Sequence, residues 1–144
     1  MKYLIDTCIV SELIKTKPSK KVVEWVSFEN EENFYLSALT IGEIQKGISK
    51  LADSKKKEKL QSWITIDLKD RFTGRILDID LEVAQKWGEM QGNAEKKGQV
   101  MPAIDALIAA TAVCHGLTVV TRNIQDMQHS GARLFNPWEG DLKD

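Results

Sequence analysis

The chain has 144 residues, of which 42% are hydrophobic and 28% charged, and its formal net charge is −1. That length suits about one domain, which buries about 70% of the surface its unfolded chain exposes, so a single domain over residues 1–144 is expected and a second core is excluded. The near-neutral charge excludes a nucleic-acid binder held by charge alone, and no apolar run approaches the roughly 20 residues of a membrane span.

In chain order, Lys2 to Ile5 is a short apolar run ending at Asp6, which predicts a buried first strand. Ile9, Val10, Leu13 and Ile14 follow at helical spacing. Ser19 caps a second helix bearing Val22, Val23, Trp25 and Val26. Phe34 to Leu36 is the second strand. Ile41, Ile44, Ile48 and Leu51 mark the next helix, and Leu60, Trp63, Ile64 and Leu68 another. Arg75 to Ile79 reads as a third strand. Asp80 caps a helix bearing Val83, Ala84, Trp87, Met90 and Ala94, with Lys96 and Lys97 in its last turn and Gly98 at its end. Pro102 opens a further helix and Gly116 closes it. Thr118 to Thr121 is a strand, Ala132 to Phe135 is one more, and the polar tail Gly140 to Asp144 reads as flexible. Alternating strands and helices predict an α/β sandwich, a mostly parallel central sheet flanked by helices, with right-handed crossovers.

Two cysteines, Cys8 and Cys114, stand in apolar segments without CxxC pairing and read as small hydrophobes in a reducing compartment. The opening Met1-Lys2-Tyr3-Leu4-Ile5-Asp6 meets an acid too early for a signal peptide, so a cytoplasmic location is expected. Lysines cluster at Lys15 to Lys21 and at Lys55, Lys56, Lys57 and Lys59. Either run is a solvated helix face or a means of steering phosphate toward a cleft.

Most acids fall on polar helix faces, but Asp6, Glu43 and Asp105 do not. Asp6 ends the first strand, and Glu43 lies in the first turn of the helix that leaves the second. The helix from about Pro102 to His115 feeds the strand Thr118 to Thr121 and so runs antiparallel to it, which brings Asp105 to the same C-terminal edge of the sheet. The lengths agree, at about 21 Å for that helix and about 17 Å for a five-residue strand. The loop Thr121-Arg122-Asn123 leaves from this edge too, where open α/β sheets bind ligands.

Carboxylates gathered without cations raise one another's pKa, and a Mg²⁺ or Mn²⁺ ion removes the repulsion. A thiolate site is disfavoured because Cys114 sits at the far end of its helix, and zinc because His115 and His129 lack ligand spacing. Each acid also has a plain structural use: Thr40-Ile41-Gly42-Glu43 fits a capping box, Asp6 an N-cap, and Asp105 the helix dipole. Asp105, however, is the sole charge between Pro102 and Cys114, and a charge in so apolar a helix is costly unless paired or bound.

These residues carry a resemblance. Leu4-Ile5-Asp6-Thr7 with Ser11-Glu12 resembles the opening of PIN domains. Ser37 to Glu43, Ala103 to Ala112 and Leu117 to Asn123 resemble the family's second, third and fourth motifs. The ending Phe135-Asn136-Pro137-Trp138 looks like the FitB branch of VapC toxins. The resemblance spans nearly the whole chain. It implies a PIN fold, hydrolysis of RNA at a divalent-metal site, an antitoxin partner that covers the site, and a toxin homodimer. The sequence has no helix-turn-helix signal with basic recognition positions, so DNA contact is expected only through the partner. Two positions depart from the family pattern: the common Asn after Asp-Thr is Cys8, and the fourth acid is Asn123, with Asp126 three residues on.

The reaction expected from these residues is phosphodiester hydrolysis, with Asp6, Glu43 and Asp105 holding one or two ions directly or through water, and Asn123 or Asp126 completing the set. Arg122 is a candidate phosphate contact or a solvated loop arginine. Thr7 and Thr121 are candidates to orient the metal-binding carboxylates. Glu12 reads as an exposed helix acid, with a supporting role as the alternative. Leu13, Ile14 and Leu51 are candidates for an antitoxin groove or for core packing. Three rival readings are a metal-dependent phosphatase, which would want an acid where Cys8 stands, a phospho-accepting receiver domain, which would want adjacent acids after the first strand and a Lys after the last, and a non-catalytic module that binds nucleic acid or a partner.

Overall fold

The computed structural model describes residues 1–140 and the backbone of Leu142 and Lys143. Asp141 and Asp144, part of the tail expected to be flexible, lie outside the described residues. Six strands form one sheet in the order β3-β2-β1-β4-β5-β6, with β1 Tyr3–Ile5, β2 Phe34–Ser37, β3 Ile76–Leu77, β4 Thr118–Val120, β5 Arg133–Phe135 and β6 Leu142–Lys143. The first five run parallel and β6 pairs antiparallel with β5. The third strand is shorter than Arg75 to Ile79, and the rest of that run lies outside the sheet.

Alternation along the strands builds a core on each face, because successive side chains point to opposite sides. Tyr3, Ile5, Val120 and Phe135 join the cluster under α1 (Thr7–Leu13), α2 (Lys20–Phe28) and α3 (Ala38–Ser49), which also takes Ile9, Val22 and Ile44. Leu4, Val119 and Leu134 join the other, under α7 (Ala103–His115) and α8 (Ile124–Met127). Trp25 fastens α2 to the sheet, stacked on Phe34 at 5.5 Å and tilted against Phe135 at 5.1 Å. Between α3 and β3 the chain forms α4 (Lys55–Ser62), a π-helical turn (Trp63–Leu68) and the short α5 (Lys69–Arg71), so the helix expected around Leu60 to Leu68 is wider-wound in its second half.

The caps fall where the side chains predict them: Ser19 accepts from Val22 N and Asp80 Oδ1 from Val83 N, the latter opening α6 (Leu81–Lys96). Helix α7 is sandwiched, with Ile108, Ala109 and Ala112 on the sheet and Ala106 against Trp87, Met90 and Ala94 of α6. Its alanines allow approach on both sides, and this is why the helix is apolar nearly all round. Gln91 Nε2 donates to Met101 O at 2.7 Å just before the helix begins, and Gly116 ends it at φ 65°, a conformation that favours glycine.

Candidate functional site

The order β3-β2-β1-β4 reverses at β1. The chain winds outward through β2 and β3, then returns to lay β4 on the other side of β1. Loops diverge at such a reversal and leave a crevice at the C-terminal ends of the strands. Asp6 and Thr121 follow β1 and β4 at that point, stitched by Asp6 N–H to Val120 O at 3.0 Å.

Asp6 is buried, 3% exposed. It is the N-cap of α1, with Oδ1 accepting from Thr7 N at 2.8 Å, and Oδ2 accepts the Thr121 hydroxyl at 2.7 Å. Burial raises its pKa, and the bonds from Thr121 and Thr7 oppose that rise. Glu43 is not part of a capping box, because the cap of α3 is Ser37, whose Oγ accepts from Leu39 N. Glu43 therefore stands in the second turn rather than the first, free of the backbone, and its Oε1 accepts the Thr7 hydroxyl at 2.6 Å. The Thr40 hydroxyl lies 3.4 Å from that of Thr7. The two threonines expected to orient carboxylates thus each hold one: Thr121 holds Asp6 and Thr7 holds Glu43.

Asp105 lies in the first turn of α7, whose cap, Pro102, offers no side-chain bond. Its carboxyl is pushed up to about 6 by burial first, then by the charges of Asp6, Asp126 and Glu43. The crevice therefore gathers four mutually repelling carboxylates, Asp6, Glu43, Asp105 and Asp126. Among the described residues none of them is ion-paired to a Lys or Arg. Asp126 reaches this field from α8, where it sits in the first turn, and the cap position is held by Asn123. Asn123 is exposed, and its backbone N–H donates to Thr121 Oγ1 at 2.9 Å. Arg122 is exposed beside it.

The donor set is all hard oxygen and carries uncompensated negative charge, so it suits a divalent cation in kind and in charge. Among the described residues, no three His, Cys, Asp or Glu side chains form a ready-made direct ligand set. Cys114 is at the far end of α7, where its thiol faces Glu82 O, well away from this crevice.

Two residues behave differently from the sequence reading. Cys8 is a polar junction rather than a plain hydrophobe. Its Sγ accepts the Arg122 N–H at 3.3 Å and lies 3.7 Å from both Asp6 Oδ2 and Thr121 Oγ1. Burial, then the Asp6 charge, pushes the thiol up to about 11, so it remains protonated at neutral pH. Glu12 is buried at 6% exposure, not a solvated helix acid. It accepts Ser19 N at 2.9 Å and Lys15 Nζ at 3.0 Å, which ties the end of α1 to the start of α2 and holds its carboxyl below the usual range. The signal for both was their spacing: Glu12 lies four residues past Cys8, about one helical turn, so the two share one face of α1.

A groove of about 650 Å³ runs along α1. Ile9, Leu13 and Ile14 line one side, and Trp63, Leu68 and Phe72 the other. Leu51, expected with Leu13 and Ile14, does not line it.

A family model described as PIN domain matches residues 3–129. The chain belongs to the PIN-domain family. The toxin FitB of Neisseria gonorrhoeae is 36% identical to it over 94% of this chain and 97% of that protein. The VapC ribonuclease Y4jK of Sinorhizobium fredii is 32% identical over 94% and 97%. Among solved structures, that of FitAcB from Neisseria gonorrhoeae matches with a TM-score of 0.90 at 36% identity, over 94% of this chain and 98% of that one. VapBC2 from Rickettsia felis, bound to a promoter DNA fragment, matches with a TM-score of 0.72 at 28% identity, over 94% and 100%. The expected fold is therefore the observed one. In this PIN domain Cys8 joins the strand end to the Arg122 loop.

The raised Asp105 carboxyl makes a prediction for the metal-free protein. In the unfolded chain this group loses its proton near its ordinary value of 3.8, and in the folded chain near 6. Between those values the folded state binds the extra proton, so the group's contribution to stability grows as pH falls from about 6 toward 4 and is lost as pH rises through 6. Melting curves in EDTA should show Asp105→Asn gaining most over the parent at pH 7 to 8, with the gain shrinking toward pH 4. A gain largest at pH 4 would contradict the repelling cluster.

Proposed function

We propose that this PIN domain is a divalent-metal-dependent ribonuclease and the toxin of a type II toxin–antitoxin pair. The observation that carries the reading is the crevice of four unpaired carboxylates at the strand reversal, in a chain whose relatives are named VapC ribonucleases and the toxin FitB. Asp6, Glu43 and Asp105 would hold Mg²⁺ or Mn²⁺, with Asp126 or Asn123 as the fourth contributor. When bound, such an ion neutralises the cluster, acidifies water and polarises a phosphodiester. The chain's own residues supply the rest. Thr121 and Thr7 fix the Asp6 and Glu43 oxygens, the Cys8 thiol pins the loop after β4, and Arg122 on that loop meets a phosphate of the RNA.

The groove along α1 is the site for an apolar segment of the antitoxin. Its lining runs from Ile5, next to Asp6, along α1 to Ile14, so an occupant that reaches the start of the helix covers the crevice. The similar FitAB and VapBC structures are toxin–antitoxin complexes, and three are bound to DNA. In this reading DNA is met through the antitoxin, the toxin pairs with a second copy inside the complex, and the whole chain acts as one domain. No helix among the described residues is long and apolar enough to cross a membrane, and the reading places the complex in the cytoplasm.

The purified chain should cleave RNA with Mg²⁺ or Mn²⁺ and stop with EDTA, and co-expression with the neighbouring reading frame should yield a stable complex with reduced cleavage. p-Nitrophenyl phosphate turnover without RNA cleavage would favour a phosphatase instead. An active, uninhibited chain beside that gene product would remove the toxin assignment.

A further inference from the structure

The last motif of the sequence, Phe135-Asn136-Pro137-Trp138, has no part in the chemistry described so far. Val120 and Phe135 are register partners in β4 and β5, and Thr121 N donates to Phe135 O at 2.9 Å. Two loops therefore leave the sheet edge side by side, one carrying Arg122 and the other Trp138. The second loop is locked. Buried Asn136 accepts Trp138 N–H on Oδ1 at 2.9 Å, its main-chain oxygen accepts from Glu139 N and Gly140 N, and Pro137 fixes its own φ. The half-buried indole packs against the core cluster that holds Phe135. The Arg122 guanidinium lies over the indole, its carbon 4.8 Å from the ring centroid.

Arg122 is exposed and stands at the edge of an acidic crevice, yet among the described residues its guanidinium makes no hydrogen bond and no ion pair. Buried Glu12 feels its charge, but that carboxylate is already satisfied by Ser19 N and Lys15. Stacking engages the flat face of a guanidinium and leaves its N–H donors free in the plane. Those donors suit the paired oxygens of a phosphodiester.

Building on the ribonuclease reading, we infer that Trp138 is a positioning residue that holds Arg122 at the crevice to bind a phosphodiester of the RNA. The indole restrains the guanidinium and so lowers the conformational freedom lost on binding. It touches neither metal nor reacting atoms and acts through Arg122 alone.

The test uses the full chain with Asp105→Asn as parent, so that RNA is bound without turnover. A fluorescein-labelled single-stranded RNA is titrated by anisotropy over a range of salt concentrations. Arg122→Ala should weaken binding about tenfold. It should also make the dependence of log Kd on log salt shallower by about 0.7, the loss of one phosphate contact on a single strand. Trp138→Ala should move both quantities the same way, with affinity falling roughly two- to fivefold, and Trp138→Phe should keep most of the affinity. Added to Arg122→Ala, Trp138→Ala should change nothing further. Arg122→Lys keeps the charge but not the stacked plane, and should bind like Trp138→Ala. This variant decides the matter if Trp138→Ala fails to fold. A Trp138→Ala protein with unchanged affinity and slope, effects that add to those of Arg122→Ala, an Arg122→Lys protein that binds like the parent, or a parent that binds no RNA would each overturn the inference. Loss of the ribonuclease reading shows separately, as a chain with Asp105 intact that does not cleave RNA with Mg²⁺.

Discussion

Asp105→Asn is expected to lower RNA cleavage by at least roughly a hundredfold to a thousandfold, the scale on which removing a group that stabilises developing charge acts, while the fold persists. Asp105 is the one acid that α7 carries, and the helix around it is sandwiched between the sheet and α6. The substitution is nearly isosteric and leaves those contacts in place. It removes a charge that Asp6, Asp126 and Glu43 all oppose, so the metal-free variant should be at least as stable as the parent at neutral pH. Cleavage is read on a labelled RNA with Mg²⁺, and stability by thermal melts in EDTA. A variant that cleaves at the parental rate would show that the crevice is not the active site. A variant that unfolds would show that Asp105 has a structural partner instead of a ligand role.

Metal addition should raise the melting temperature, and the rise should disappear in Asp6→Asn. Binding to the folded state alone stabilises by about 2.7 kcal/mol at a hundredfold excess over Kd, which for a domain of this size is a rise of roughly 5–10 °C. The crevice attracts an ion through the charge of its carboxylates, so each further negative charge on it should count. Asn123 can offer a carbonyl oxygen but no charge, and its exposed place at the start of α8 leaves room for an acid. Asn123→Asp should lower the Mn²⁺ concentration needed for half the rise. Asp126→Ala should increase it, because Asp126 already acts on Asp105 across the crevice. If Asn123→Asp changes nothing and Asp126→Ala abolishes the rise, Asp126 is the fourth acid and Asn123 a neighbour. A melting curve unmoved by either ion would remove the metal assignment.

The sequence by itself determined the layered α/β architecture and the edge on which the acids meet. Apolar runs of strand length, helices between them, and the caps Ser19, Asp80 and Gly116 follow from local preferences that act within a few residues. The lone charge in α7 was legible for the same reason, since an acid among alanines and isoleucines needs a cause wherever the helix packs. Local pattern did not decide which of two nearby caps opens α3. Ser37 prevailed over Thr40 because the strand ends there, and this freed Glu43 for Thr7. Nor did it reveal that Cys8 and Glu12 turn inward to bind the Arg122 loop and the start of α2, or that Arg122 lies over Trp138. Those contacts join residues far apart in the chain, Cys8 with Arg122 and Asp6 with Thr121, and they arise only because β1, β4 and β5 lie side by side. Strand order is set by how whole helices pack on both faces of the sheet, a choice made by the summed burial of the core and not by any one stretch of sequence.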